Sequence, residues 1–88
     1  MGTNIKRITT FIKDVKEKYT VSIISDSLGM SVSMESKRPS FKIVRHISYS
    51  DLPKDRERMN EVIYNTLEII KIKLDDMIEQ SFTNKEGK

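Results

Sequence analysis

Between Leu52 and Phe82, the residues Met59, Ile63, Leu67, Ile70, Leu74, Met77, Ile78 and Phe82 recur at steps of four, four, three, four, three, one and four. Such spacing puts them on one face of an α-helix. At 1.5 Å per residue, about 30 residues extend about 45 Å, whereas a small domain is only about 30 Å across. A chain of 88 residues therefore cannot cover this helix along its whole length. It must break, overhang, or be covered by a second copy. The spacing predicts a continuous helix from Leu52 to Phe82. Ser50 or Asp51 is expected to cap it, with Leu52-Pro53 in its first turn. The polar tail over 83–88 is expected to fray. Val62, Ile69 and Ile72 lie off the main stripe and widen it into a band broader than one small sheet needs. Self-association through Val62, Ile69 and Ile72, giving a homodimer, is the expectation. A kink that folds the helix end back over the sheet is the alternative.

Upstream, Ile5, Ile8, Ile12, Val15 and Tyr19 follow steps of three, four, three and four, with Phe11 beside them. They predict a first helix over 4–18, with Thr3 or Asn4 positioned to cap it. Lys6, Arg7, Lys13, Lys16 and Lys18 fall off this stripe and read as a solvated face.

The period then changes from 3.6 to 2. Thr20–Ser25 is short and β-branched, and Asp26-Ser27 with Gly29 reads as a hairpin loop. Met30, Val32 and Met34 alternate with Ser31, Ser33 and Glu35, which predicts a strand with a serine-rich outer face. Proline in Ser36-Lys37-Arg38-Pro39-Ser40 marks a second turn. Phe41–Tyr49 reads as a third strand. On it, Arg45 shares a face with Phe41, Ile43, Ile47 and Tyr49, which suggests a bulge or a strand end protruding past the core. The chain thus reads as one α+β domain over 1–88: an N-terminal helix, a three-stranded antiparallel meander and a long C-terminal helix, αβββα. One sheet face packs on the helices, and the other meets water or a partner.

Composition narrows the class. Charged residues make up 33% and apolar residues 36% of the chain. No apolar run approaches the ~20 residues of a membrane span. The N-terminus lacks the pattern of a signal peptide. Lys6 stands where Met1-Gly2 myristoylation calls for Ser or Thr. Cysteine is absent, so neither disulfides nor thiolate metal sites enter. A cytoplasmic protein is expected. Eleven lysines against five arginines, twelve isoleucines and no alanine match AT-rich coding, as in low-GC bacteria, their phages and plasmids.

Chemistry-bearing clusters are sparse. His46 is the single histidine and reads as an exposed strand residue. Asp75 and Glu79 form an i, i+4 carboxylate pair able in principle to hold a hard cation, but they read as the wet side of the helix. No catalytic residues, metal site or cofactor is expected, and the chain reads as a non-enzyme. The densest cluster is Lys37, Arg38, Lys42, Arg45 and His46. One reading makes it an anion-facing edge for nucleic acid or an acidic protein surface. The other makes it a charged edge that keeps strands from pairing with neighbours.

Asn4-Ile5, the spaced Ile8 and Ile12, and Tyr19-Thr20-Val21 leading into a meander and a closing helix resemble a small phage-borne inhibitor of type II-A CRISPR nucleases. The likeness covers the first third of the chain in residue type and the rest in topology. It implies an anti-CRISPR phage protein that binds and inhibits Cas9 in the host cell. The resembled inhibitor is acidic and mimics DNA, whereas this chain carries a net charge of +3. The mimicry therefore does not carry over. Docking on an acidic face of the nuclease, or on its guide RNA, takes its place, with Lys37, Arg38, Lys42, Arg45 and His46 as the docking residues. The alternative function is a small basic nucleic-acid-binding regulator, dimeric through the C-terminal helix.

Overall fold

The computed structural model describes the backbone of residues 3–86 and the side chains of residues 6–82. The order is α1 (Thr3–Val15), β1 (Tyr19–Ser25), β2 (Gly29–Ser36), β3 (Lys42–Ser48) and α2 (Arg56–Glu86). The strands form one antiparallel sheet in the order β1-β2-β3. This is the αβββα architecture expected from the periodicities.

The long helix is unbroken. Its stripe, however, is fully buried only between Ile63 and Leu74, where Ile63, Leu67, Ile70 and Leu74 are 0–4% exposed. These four side chains join Val32 and Met34 of β2 and Phe11, Val15 and Tyr19 in a single core. Each contributes about 1.5–3 kcal/mol of apolar burial. Met59 and Ile78 pack at the core margins, whereas Met77 and Phe82 are 37% and 55% exposed. The helix therefore overhangs. The molecule measures 50 × 25 × 15 Å with a radius of gyration of 14.6 Å, against about 12 Å for a compact chain of this length. The kinked alternative does not occur.

Element boundaries move where tertiary contacts decide them. Helix α1 stops at Val15 because Lys18 N–H donates to Val15 O at 2.9 Å, and Tyr19 already pairs with Ser36. The side chains of Thr3, Asn4 and Ile5, and the side chains of 83–88, lie outside the described residues. The helical backbone of α2 runs to Glu86, four residues beyond the expected end, and positions 87–88 lie outside the described residues. Neither Ser50 nor Asp51 caps α2. They lie in a turn where Asp51 N–H donates to Ser48 O and Leu52 N–H to Tyr49 O. That turn buries Leu52 before the helix begins. The cap is Asp55: its Oδ2 accepts from Arg58 N–H at 3.3 Å, and its carbonyl accepts from Met59 N–H at 2.9 Å.

Asp26 closes the first hairpin. Its Oδ1 accepts the N–H groups of Leu28 and Gly29, each at 2.8 Å. At the second turn, Ser36 is 3% exposed; its Oγ accepts Phe41 N–H at 2.8 Å and donates to Pro39 O. The pairing of β2 with β3 is continuous from Gly29↔Ser48 to Glu35↔Lys42. Arg45 therefore sits in no bulge. It lies opposite the buried Val32, on the helix-facing side, and reaches solvent because β3 is an edge strand. On the outer face, Ser22, Ser31 and Ser33 form the centre, flanked by Ile24, Val44 and His46.

Two stability predictions follow from this packing. A Cβ on Gly29 would meet the carbonyl oxygen of Ile47 at 2.1 Å. Gly29→Ala should therefore cost about 1–3 kcal/mol, read as a lower midpoint in urea. The neighbours Ile69 and Ile70, 44% and 0% exposed, should separate sharply. Ile70→Ala should cost about 2–5 kcal/mol and Ile69→Ala less than about 0.5 kcal/mol in the monomer; equal losses would contradict the facing of α2.

Candidate functional site

The five residues of the basic cluster do not converge on one patch. Lys37 and Arg38 occupy the β2–β3 turn. Lys42 and His46 point to the outer face of the sheet, and Arg45 to the helix side. His46 is exposed and stands 3.7 Å from Asp26. The Leu28 and Gly29 amides, more than His46, hold the Asp26 carboxyl below its usual range.

A different basic set does come together. Lys37 N–H donates to Lys18 O at 3.3 Å, and Lys37 Nζ donates to Lys16 O at 3.2 Å. The end of α1 is thereby tied to the β2–β3 turn, and Lys16, Lys18, Lys37 and Arg38 gather at one end of the molecule. Linear spacing does not reveal this, because the contact joins residues about twenty positions apart. Of these, Lys18, Lys37 and Arg38 border a groove of about 680 Å³ beneath the overhang of α2. Tyr19, Ile78 and Phe82 supply its apolar surface, and Glu17, Asp75 and Glu79 supply carboxylates.

The deepest polar group of this groove is Tyr19, 2% exposed. Its hydroxyl donates to Asp75 Oδ1, and Lys71 Nζ donates to Asp75 Oδ2 at 2.8 Å. Burial, together with the Asp75 hydrogen bond and charge, pushes the Tyr19 phenol well above its ordinary value. For Asp75, burial acts upward, but hydrogen bonds from Lys71 and Tyr19 and the charges of Lys71 and Lys18 outweigh it and lower the carboxyl. Asp75 thus already serves as the acceptor of two protein donors. Among the described residues, no three His, Cys, Asp or Glu side chains are arranged to hold a metal ion.

The other surface feature is on α2. Ile69 and Ile72 are 44% and 68% exposed, and Val62 is half-buried. Ile72 also borders a shallower groove with Phe11, Val15 and Glu68. On the α2-facing flank of α1, Arg7 Cζ lies 4.3 Å from the Tyr64 ring centroid, and Phe11 meets that ring edge-on at 5.9 Å.

No protein-family model matches the chain, and neither do the curated proteins or the solved structures with which it was compared. Among the described residues, no helix is long and apolar enough to cross a membrane.

The Tyr19–Asp75–Lys71 chain sets a pH dependence. The lowered Asp75 and Asp26 stabilise the fold above the ordinary carboxylate pKa of about 3.9, and that contribution is lost as pH falls through their folded values. The raised Tyr19 contributes below about pH 10 and is lost as pH rises toward its folded value. Stability in urea should be level between about pH 5 and 9 and fall on both sides. Tyr19→Phe should flatten the alkaline limb, and in the parent one of the three tyrosines should ionise later than the others by ultraviolet titration. Simultaneous ionisation of all three would refute the coupling.

Proposed function

We propose that this chain is a small accessory protein of a phage or other mobile element that acts by binding and inhibiting a host protein, with a Cas9-type CRISPR nuclease as the leading target. The observation that carries the reading is surface in excess of what the monomer uses. An overhanging α2 exposes Ile69 and Ile72 on one side and roofs a cation-bordered groove at one end. Exposed apolar side chains near fixed charges are the usual composition of a protein-docking surface. The αβββα order also agrees with the resembled inhibitor. The reading places the chain in the host cytoplasm and assigns it no catalytic step. Docking runs through Lys37 and Arg38, joined by Lys16 and Lys18, on an acidic protein face or the guide RNA. Lys42 and His46 extend it along the outer face of β3, whereas Arg45, on the helix side, stands apart from it.

The same cations support a second reading, a nucleic-acid-binding regulator that is dimeric through Val62, Ile69 and Ile72. Phosphate binding weakens steeply with added salt, which distinguishes the two.

Against reconstituted Cas9 with its guide, micromolar protein should block target cleavage, and Lys37→Glu with Arg38→Glu should weaken that block at least about tenfold. Full cleavage at that concentration removes the nuclease as target. Salt-sensitive binding to duplex DNA without inhibition selects the regulator. In sedimentation equilibrium, Ile69→Glu with Ile72→Glu should convert a dimer to a monomer; a parent that is strictly monomeric at about 100 μM excludes self-association at physiological affinities.

A further inference from the structure

The two edges of the sheet differ. Strand β3 carries Lys42, Arg45 and His46 and has Arg45 in its helix-facing row; charge of this kind blunts an edge. Strand β1, Tyr-Thr-Val-Ser-Ile-Ile-Ser, contains neither a charge nor a proline in seven residues.

The hydrogen-bond pattern identifies which groups β1 leaves open. Asp26 N–H donates to Gly29 O and Lys37 N–H to Lys18 O. In an antiparallel ladder the bonded positions alternate, so Thr20, Ser22 and Ile24 bond to β2. The N–H and C=O groups of Val21 and Ile23 point away from the sheet and have no backbone partner among the described residues.

The helix layer overhangs the same edge. Helix α2 lies across β2 and β3, with α1 beside it. Packed helices are about 8–10 Å apart and strands about 4.8 Å apart, so the axis of α1 falls near or just outside β1. The helix-facing residues Val21 and Ile23 are accordingly only half-buried, while Val32 and Met34 on β2 are 0–1% exposed. On α1, Arg7, Phe11 and Asp14 mark the flank toward α2. Helical periodicity puts Ile12 on the opposite flank, above the open edge, and Lys16 follows in the turn just after Val15. Ile12 is half-buried and stands outside the core cluster. The exposed lysines Lys6, Lys13 and Lys16 occupy the remaining surface of that side, where Glu17 is the neighbouring carboxylate, so the side is net positive.

We propose that the free edge of β1, roofed by α1, is a strand-addition site for an extended segment of a partner protein. That segment alternates apolar and polar residues and is flanked by carboxylates. Its backbone pairs with the open amides and carbonyls of Val21 and Ile23. Its apolar side chains enter beneath Ile12, and its carboxylates meet Lys13 and Lys16. A second copy of this chain does not fit, because its own α1 would compete for the same overhang and bring lysines against lysines. The inference rests on the chain being a protein-binding module and not on the identity of its target.

The test uses the full-length protein and the synthetic peptide acetyl-Glu-Val-Thr-Val-Thr-Val-Thr-Glu-amide. Amide hydrogen exchange followed by NMR should show Val21 and Ile23 newly protected at saturating peptide. The same peptide with lysine in place of glutamate should bind at least about tenfold more weakly, and so should the acidic peptide to Lys13→Glu with Lys16→Glu. Ile23→Pro removes a donor that the β2 ladder does not use, so it should stay folded by circular dichroism and lose the peptide. The Lys13 and Lys16 variant keeps the test decisive if that protein unfolds. Unchanged exchange at Val21 and Ile23 with peptide at about 1 mM, equal binding of the basic peptide, or protection at Lys42, Val44 and His46 instead would each overturn the proposal. Peptide binding at β1 combined with uninhibited Cas9 would remove the nuclease reading alone.

Discussion

The burial of Ile63, Leu67, Ile70 and Leu74 against Val32 and Met34 is the constraint from which the rest of this molecule follows. Stability in a chain without cysteine rests on packing, and a domain this small has little apolar area to use. One helix supplies four of its nine core residues. Its middle third therefore fixes where the central strand lies, and its length determines that something must project. The elongated shape, the groove under the overhang and the exposed isoleucines are consequences of putting a 31-residue helix over strands of seven or eight residues.

Local polar groups set the remaining geometry at low cost. Asp26, Ser36 and Asp55 each satisfy backbone amides at a turn or helix start. Such bonds satisfy donors that would otherwise be unpaired at element ends. Tyr19 does similar work over a longer distance, joining the first residue of β1 to Asp75 on α2. That link ties the sheet to the helix at the point where the overhang begins, and so shapes the groove.

The two proposed surfaces use different physics. The end of the molecule offers charge on a mixed apolar and polar groove. The β1 edge offers unpaired backbone groups under a cationic helix. Both arise because the sheet is only three strands wide, so that the outward backbone groups of β1 keep no partner among the described residues.

Much of the architecture is legible from neighbouring residues. Steps of three and four from Met59 to Phe82, alternation from Met30 to Glu35, and Pro39 with Asp26 at the turns each report a local geometry set by backbone period. Element ends were less legible. Leu52 is buried ahead of α2, so the cap moved from Ser50 or Asp51 to Asp55, and Arg45 required no bulge because an edge strand gave it a way out. The site was the least legible part. Residues 37–46 form a run of cations in sequence, but alternation sends them to different faces, while Lys16 and Lys18 join Lys37 across a tertiary contact. Periodicity along the chain thus determined what each segment is and which of its faces is apolar. Only the packing of segments against one another decided which charges become neighbours and which edge stays open, because adjacency between elements is governed by shape and burial, not by position in the chain.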